Sequence, residues 1–158
     1  MAPHAKYIAV FETQFWREQG LSGEAQSTVG PMAEIHDAST EDGQAALFGF
    51  FGIPAVVRAQ VTESELKALC RKQLVRRFGQ EAAVPVVEYV KDWANDSRTA
   101  TEADQQPGLH QTDFPLSSLS GVWQRHLTGI GSEWSPDFSG YLAGAVDAAQ
   151  RGVEALLP

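Results

Sequence analysis

The chain has 158 residues, of which 43% are hydrophobic and 20% charged, a composition typical of a folded domain rather than of a disordered segment. Its formal net charge of −8 argues against nucleic acid as a partner, because nucleic-acid binders contact phosphate with an excess of cationic side chains. The single cysteine, Cys70, excludes an intramolecular disulfide and a multi-cysteine zinc site, and the sequence has neither a bilayer-spanning run nor a signal-peptide pattern, so we expect a cytoplasmic protein without a membrane segment.

Two apolar runs near the N-terminus predict β-strands. Residues 6–12 form the first run and residues 45–52 the second, and both are rich in residues with high β propensity. Gly49 interrupts the second run, which indicates a close backbone approach or a bulge at that point. The residues that follow, 53–61, are expected to be irregular and extended.

The clearest predicted helix covers residues 62–79. Thr62 and Glu65 have the spacing of a capping box at its start, and Gly79 is placed to end it. Apolar residues at helical spacing predict one buried face, made of Leu66, Leu69, Cys70, Leu74 and Phe78.

The second half of the chain alternates a strand, a loop and a helix. Residues 84–93 predict a strand, residues 95–114 a long polar loop, and residues 121–131 a short strand. The last helix carries apolar residues at helical spacing, namely Leu142, Val146, Ala149, Val153 and Leu156. This mixture of strands and helices indicates the α+β or the α/β class.

The C-terminal segment places glycines directly before the last helix. Ser139 can cap a helix that starts near Gly140, and Gly140 and Gly144 leave one side of its first turn without side chains. The positive end of the helix dipole would then favour an anionic group. Helix–sheet packing uses small residues in the same way, and this stretch alone favours that explanation. Gly129 and Gly131 begin a dinucleotide-like fingerprint, but too few residues follow for a βαβ unit.

Other candidate residues have simpler structural explanations. Lys6 begins an apolar strand, where a buried lysine can handle a proton or a water, although a lysine there more often solvates the strand end. Cys70 falls on the apolar helix face and is expected to be inert. His36, His110 and His126 lack metal-ligand spacing, so no metal site is expected.

Four stretches together have a familiar order and spacing. They read KYIAVFETQFWR, ELKALCRKQLVRRFG, VVEYVKDWANDSRT and GSEWSPDFSGYLAGAVDAAQRGVEAL. The first begins with a lysine and ends in a Phe-Trp-Arg motif, and the last leads through Ser-Gly-Tyr into a helix rich in glycine and alanine. In these features the chain resembles the C-terminal portion of flavin-containing amine oxidases of the monoamine oxidase type. The resemblance implies an α+β fold, with a mixed β-sheet, a mid-chain amphipathic helix and a C-terminal helix.

The resemblance also implies roles for particular residues. Lys6 would hold a water near the flavin and assist reoxidation by oxygen, and Tyr141 would stand beside the flavin and orient the substrate amine. Ser132 would offer its N–H to the FAD pyrophosphate, and Leu142 would offer its N–H to the flavin C2 carbonyl. The cofactor-binding set implied in this way is Gly131, Ser132, Glu133, Gly140 and Leu142.

The chain departs from the family in two respects. The N-terminal FAD-binding βαβ unit is absent, and the loop over residues 97–108 has neither the aromatic residue of the substrate cage nor a cysteine for flavin attachment. Any FAD would therefore be non-covalent and weakly held by the isolated chain, and arylalkylamine substrates are disfavoured.

We accordingly expect two functional parts. Residues 1–128 would form a partial substrate-binding domain, and residues 129–158 the loop and helix that close the FAD site. The expected activity is oxidation of a small amine to an imine, together with an FAD-binding partner chain. The alternatives are a stand-alone non-catalytic binding or remnant domain and a truncated reading frame. A homodimer is compatible with either of the first two, since exposed apolar surface needs cover.

Overall fold

The computed structural model describes residues 4–101, 118, 120–124 and 126–157. Two compact units can be distinguished, residues 1–108 and residues 109–158, and each is described by itself. Within the described residues, no helix is both long enough and apolar enough to cross a membrane.

The described strands of the first unit form one five-stranded sheet in the order β2-β3-β4-β1-β5. Their bounds are Ala5–Phe11 for β1, Ala25–Gln26 for β2, Met32–Asp37 for β3, Ala45–Phe51 for β4 and Val87–Asp92 for β5. The three predicted strands of this unit are therefore confirmed, and β2 and β3 were not predicted. A mixed sheet was expected, and the pairings between these strands are antiparallel throughout. The α+β class is confirmed.

Helices occur in both units. The α-helices are α1 at Phe15–Glu18, α2 at Ala55–Arg58, α3 at Glu63–Phe78 and α4 at Leu142–Glu154. Short 3-10 helices cover Gln80–Ala83, Trp93–Asn95 and Ser132–Trp134. The expectation of an extended segment over residues 53–61 is wrong, because Pro54 acts as the N-cap of α2. Its ring fixes φ at −58°, a value suited to entering a helix, and an N-cap needs no N–H donor of its own.

Helix α3 begins and ends as predicted. The Glu65 N–H donates to Thr62 Oγ1 over 3.2 Å, and the Thr62 N–H donates to Glu65 Oε2 over 2.8 Å, which completes the capping box. The expected burial of Leu69 is wrong, since 46% of this residue is exposed. It lies at the flank of the buried face, beyond the residues that reach the sheet.

Gln73 is a buried polar residue that the periodicity did not single out. Its side chain is almost fully buried and bonds both backbone groups of Met32, with Oε1 2.9 Å from the N–H and Nε2 2.7 Å from the carbonyl oxygen. These two bonds satisfy backbone groups next to the bulge in β3, where the register shifts between Met32 and Glu34. The amide of Gln73 therefore joins α3 to the sheet.

The core lies between α3 and one face of the sheet. Its largest fully buried side chains are Trp16, Tyr7, Met32, Ile35, Leu47 and Leu74. Gly49 makes the expected close approach, because a Cβ at this position would lie 2.4 Å from the Met32 Sδ. The glycine in β4 thus leaves room for a methionine of the neighbouring strand.

The Phe-Trp-Arg motif, residues 15–17, binds Asp37 at the end of β3. The fully buried Trp16 makes edge contacts with Phe11 and Phe15, with ring centroids 5.8 and 5.0 Å away. Its Nε1 donates to Asp37 Oδ2 over 3.0 Å, and Arg17 Nε donates to the same oxygen over 2.8 Å. The motif therefore combines an aromatic core with a carboxylate clamp.

This clamp predicts a dependence of stability on pH. Burial raises the pKa of Asp37, but hydrogen bonds from Ser39, Trp16 and Arg17 outweigh it and lower this pKa from 3.8 to about 2. The carboxylate therefore stabilises the fold above about pH 4, and this contribution is lost as the pH falls towards 2. Asp37→Asn should cost about 1–2 kcal/mol at pH 7, a value reduced because Arg17 is solvent-screened.

Urea titrations between pH 2 and pH 7 provide the measurement. The free energy of unfolding of the variant should fall less steeply than that of the parent between pH 4 and pH 2. The exposed turn residue Asp42 supplies a matched control as Asp42→Asn, for which the curve should follow the parent. Parallel curves for Asp37→Asn and the parent would contradict the assignment.

In the second unit, α4 packs through its smallest residues. Gly144, Ala148 and Gly152 are buried, whereas Leu142, Val146, Val153 and Leu156 are between 57% and 89% exposed. The predicted apolar face therefore points away from the contacts within this unit. The predicted short strand is also wrong, since the described residues from 121 to 131 form turns and an isolated bridge at Thr128.

Candidate functional site

The face of the sheet opposite α3, called here the open face, carries a lysine among aromatic rings. Strand alternation places Lys6 and Ile8 of β1 on this face. In register, Lys6 lies opposite Phe50 of β4, and Ile8 lies opposite Phe48. The two phenylalanines, two residues apart in one strand, therefore stand beside the lysine.

Three rings surround the Lys6 ammonium. Its Nζ lies 4.7 Å from the ring centroid of Phe50, 5.6 Å from that of Phe48 and 5.8 Å from that of Trp93. These distances allow cation–π attraction, which holds the charge without using its N–H donors. Among the described residues, no carboxylate forms a salt bridge with Lys6, so the donors can face a water or a ligand.

His36 extends the aromatic row of the open face. Its ring stacks on Phe48 with centroids 5.0 Å apart, and its Nδ1 lies 2.6 Å from Glu24 Oε2. The Nε2 lies 3.5 Å from Glu34 Oε2. Nowhere in the described part of the chain do three or more His, Cys, Asp or Glu side chains meet in a way that could hold a metal ion. The imidazole therefore lies between two surface carboxylates.

The N-terminus of α4 is open to a ligand. Tyr141, the N-cap residue, is 72% exposed and makes no side-chain capping bond, and Leu142 is 89% exposed. Gly140 has φ of +80°, and a Cβ there would meet nothing within 4 Å. The start of α4 at Tyr141 and Leu142, at the positive end of the helix dipole, is thus exposed and has no side-chain cap.

The capping role expected of Ser139 is wrong. The helix begins at Leu142, two residues later than expected, and the Ser139 Oγ donates to the carbonyl oxygen of Glu133 over 3.5 Å. The carbonyl of Ser132 accepts from the Gly140 N–H over 3.3 Å, which folds the Gly131–Glu133 turn back against the start of the helix. The five residues implied as cofactor ligands are therefore close together within this unit.

Gly144 serves packing rather than an open glycine surface. A Cβ at this position would lie 2.1 Å from the Phe138 carbonyl oxygen and 3.1 Å from that of Ser132. The glycine flank expected to face a ligand is thus open at Gly140 and closed at Gly144.

Gly144→Ala should therefore loosen α4 from its loop. The added methyl collides with backbone, which cannot rotate away, so we expect a cost of about 2–3 kcal/mol and faster amide hydrogen exchange throughout α4. The exposed Ala143 offers a control one residue away, and Ala143→Ser should stay within about 0.5 kcal/mol of the parent. Equal exchange rates in the two variants would remove Gly144 from the packing.

Cys70 behaves as the sequence indicated. It is fully buried, and burial raises the pKa of its thiol, which disfavours the reactive thiolate. Lys6 lies in the first unit and the residues around Tyr141 lie in the second. His110 and residues 102–108 of the expected substrate loop lie outside the described residues.

Comparison with protein families identifies the family of this chain. The model of the family described as flavin containing amine oxidoreductase matches residues 1–157.

The chain belongs to this family.

Curated relatives match this chain over most of its length. It is 34% identical over 155 residues to a protein of Mycobacterium tuberculosis described as a flavin-containing monoamine oxidase, a match that covers 93% of the chain and 32% of the relative. It is 33% identical to putrescine oxidase of Kocuria rosea, over 80% of the chain and 25% of that enzyme. The chain thus spans about a third of the length of the relatives it matches.

Solved structures of amine oxidases also align with nearly the whole chain. A putrescine oxidase bound to putrescine aligns with 97% of the chain and 34% of its own length, with a TM-score of 0.76 and 26% identity. Cyclohexylamine oxidase from Brevibacterium oxydans aligns with 98% of the chain and 35% of its own length, with a TM-score of 0.74 and 28% identity. Family membership implies a flavin cofactor, and the exposed, uncapped start of α4 would favour an anionic group.

The aromatic residues around Lys6 were not selected from the sequence. Phe48 and Phe50 alternate in a predicted strand, which places them on one face, and this pattern could have indicated them. Trp93 was noted as a motif residue, but its approach to Lys6 depends on the pairing of β1 with β5. That pairing joins residues about eighty positions apart, and no local pattern indicates it.

Proposed function

We propose that this chain supplies the substrate-side sheet and the flavin-closing helix of an amine oxidase, acting with an FAD-binding partner chain to oxidise a small amine to an imine. The observation that carries the proposal is the Lys6 ammonium, which stands among three aromatic rings on the open face of a sheet in this flavin-dependent family. The residue ranges 1–128 and 129–158 would correspond to the two roles.

The second unit offers the groups that would hold FAD. The N–H of Leu142 would face the flavin carbonyl, and Ser132 with Gly131, Glu133 and Gly140 would line the pyrophosphate side. A bound flavin would accept the two electrons removed from the amine. Because the helix end is already formed and uncapped, it would stabilise negative charge there without reorganisation. Cys70, the only cysteine of the chain, is buried in the first unit, which supports non-covalent binding.

Lys6 and Tyr141 would act on the reacting groups. The Lys6 ammonium forms no salt bridge with a carboxylate among the described residues, so it could hold a water and deliver positive charge where oxygen reacts. The exposed ring of Tyr141 presents an aromatic face that can orient an amine. The chemistry left to these residues is positioning and charge stabilisation.

The need for a partner is supported by the surface of α4. Leu142, Val146 and Val153 expose large apolar side chains on one 13-residue helix, and Leu156 exposes another just after its end. A stripe of this kind is stable in water only when another surface covers it. In the proposed complex, the FAD-binding part would cover that surface. A second copy of this chain in a homodimer would be the alternative way to cover this surface. A cytoplasmic location stays a prediction.

Titration of the purified chain with FAD tests the proposal in its first part. Nothing in the described residues grips an adenosine, so flavin fluorescence should show weak binding or none. Co-expression with an FAD-binding half of the same family, one with a glycine fingerprint after an N-terminal strand, should then give a yellow complex that produces peroxide when an amine is added.

Two results would contradict the proposal. Tight stoichiometric FAD binding by the isolated chain would remove the need for a partner. A colourless, monodisperse protein that ignores the FAD-binding half would favour the stand-alone binding domain. Val146→Asp provides a control for the complex, since a charge in the exposed stripe of α4 should abolish association without altering the first unit.

A further inference from the structure

A buried ion pair lies directly behind the aromatic group around Lys6. Arg58, at the end of α2, donates from Nε to Asp92 Oδ2 over 2.7 Å and from Nη2 to Asp92 Oδ1 over 2.8 Å. A third bond runs from its Nη1 to the carbonyl oxygen of Ile53 over 2.7 Å. Only 3% of the Arg58 side chain and 14% of the Asp92 side chain are exposed. The carboxylate is therefore held in one orientation by a planar fork.

Stability alone is a weak reason for this pair. Burying two charges costs much of what their attraction returns, and apolar residues of similar volume often stabilise a site equally well. What the fork supplies is a fixed carboxylate at the last residue of β5. That carboxylate also contacts the turn that follows β5.

Asp92 fixes the turn that carries Trp93. Its Oδ1 also accepts from the Ala94 N–H over 3.0 Å, which caps the 3-10 helix that starts at Trp93. The Trp93 N–H donates to the carbonyl oxygen of His4 over 3.0 Å, so the residue is attached to the start of β1 as well. Trp93 is thus set by the carboxylate on one side and by the Lys6 strand on the other.

Trp93 differs from the other two rings in how it is held. Phe48 and Phe50 lie within β4, where the ladder with β1 fixes their positions. Trp93 lies just beyond the end of β5, so its turn and its bond to His4 position the residue, whose ring lies 5.8 Å from the Lys6 Nζ. The third ring depends on the ion pair, whereas the first two depend on the sheet.

We propose that Arg58 and Asp92 are positioning residues that hold the Trp93 ring against the Lys6 ammonium. The functional meaning rests on the proposed function, which gives Lys6 its role near the flavin. The pair itself touches neither cofactor nor substrate and acts through Trp93. It sets where the lysine charge stands on the open face.

Nuclear magnetic resonance of the full chain tests the proposal without any cofactor. Carbon-13 labelled lysine reports the ring-current displacement of the Lys6 side-chain protons, with Lys6→Met used for assignment and Trp93→Leu for the contribution of the indole. Arg58→Met combined with Asp92→Leu removes both charges and keeps an apolar filling. In this double variant, most of the displacement due to Trp93 should be lost.

Two single variants complete the design. Arg58→Lys keeps the charge but loses the two-bond fork, and it should move the Lys6 resonance part of the way towards its position in Trp93→Leu. Arg71→Lys is the matched control, because Arg71 pairs with Glu88 on the same strand and the same sheet face but has no contact with the Trp93 turn. In this control, the Lys6 resonance should stay at its parent position.

The proposal is overturned if the folded double variant keeps the parent Lys6 resonance. Should the double variant fail to fold, an unmoved Lys6 resonance in Arg58→Lys overturns it instead. In the co-expressed complex, Arg58→Lys should slow flavin reoxidation more than amine-dependent reduction. If the parent complex does not oxidise amines, the proposed function fails, while the resonance of Lys6 still decides the positioning role.

Discussion

Trp16→Ala should cost about 3–5 kcal/mol of folding free energy, the largest loss expected from a single change in the first unit. Trp16 is fully buried, meets Phe11 and Phe15 edge to face, and donates to Asp37. The change removes an aromatic ring that the core cannot refill and leaves one carboxylate oxygen with one donor fewer. Because domains of this size are stable by about 5–15 kcal/mol, the variant should be near unfolding at room temperature.

Urea unfolding followed by far-UV circular dichroism measures this loss without relying on tryptophan emission. Trp123→Ala is the control, since Trp123 is 62% exposed and its replacement should change the free energy by less than about 0.5 kcal/mol. Trp16→Phe should lie between the two, because it keeps a ring but loses the indole donor. A value for Trp16→Ala within about 1 kcal/mol of the parent would show that the aromatic cluster does not hold the core.

Lys6→Met in an active complex should slow reoxidation of the flavin by oxygen about 100-fold, with a much smaller effect on amine binding. Methionine keeps the length of the side chain and its contact with Phe48 and Phe50 but removes the charge and its donors. The reacting oxygen therefore loses a fixed positive group and the water that it holds. Double-mixing stopped-flow absorbance separates the reoxidation rate from the rate of amine-dependent reduction.

Lys91→Met is the matched control for this experiment. Lys91 lies opposite Lys6 in the register of β5 and β1, yet it pairs with Asp96 over 2.6 Å and lies outside the ring contacts of Lys6. Its replacement removes the same charge from the same row of the sheet and should leave reoxidation within about threefold of the parent. Equal oxygen reactivity in Lys6→Met and the parent would remove Lys6 from the mechanism.

Local patterns predicted local structure well. The capping box of Thr62 and Glu65 lies within one helical turn, and the strand around Lys6 shows its β propensity directly, so both were found from the sequence. Gln73 was missed because its partner, Met32, lies forty-one residues away. A polar residue on a helix is normally expected in solvent, and only the unpaired backbone next to the β3 bulge explains its burial.

The last helix shows how periodicity can identify an apolar face without saying what covers it. Leu142 and Val146 have helical spacing, and the pattern alone predicts that they face the unit. The contacts instead use Gly144 and Gly152, whose missing side chains let a loop approach the backbone closely. Small residues carry little weight in a hydrophobic pattern, so the periodicity does not favour their face.

The candidate site was only partly predictable for a related reason. Lys6, Tyr141 and the residues around Ser132 were identified by resemblance to known sequences, which the family match over residues 1–157 supports. The pairing of Arg58 with Asp92 spans 34 positions and no motif joins them. The ion pair depends on the tertiary placement of α2 beside the end of β5.

The exposed Leu142, Val146 and Val153 of α4 also affect how much of this protein accumulates in the cell. A chain synthesised in excess over the proposed FAD-binding partner would expose this apolar surface to chaperones and proteases, as a misfolded protein does. Under the proposed function, the abundance of this chain would therefore follow the supply of its FAD-binding partner.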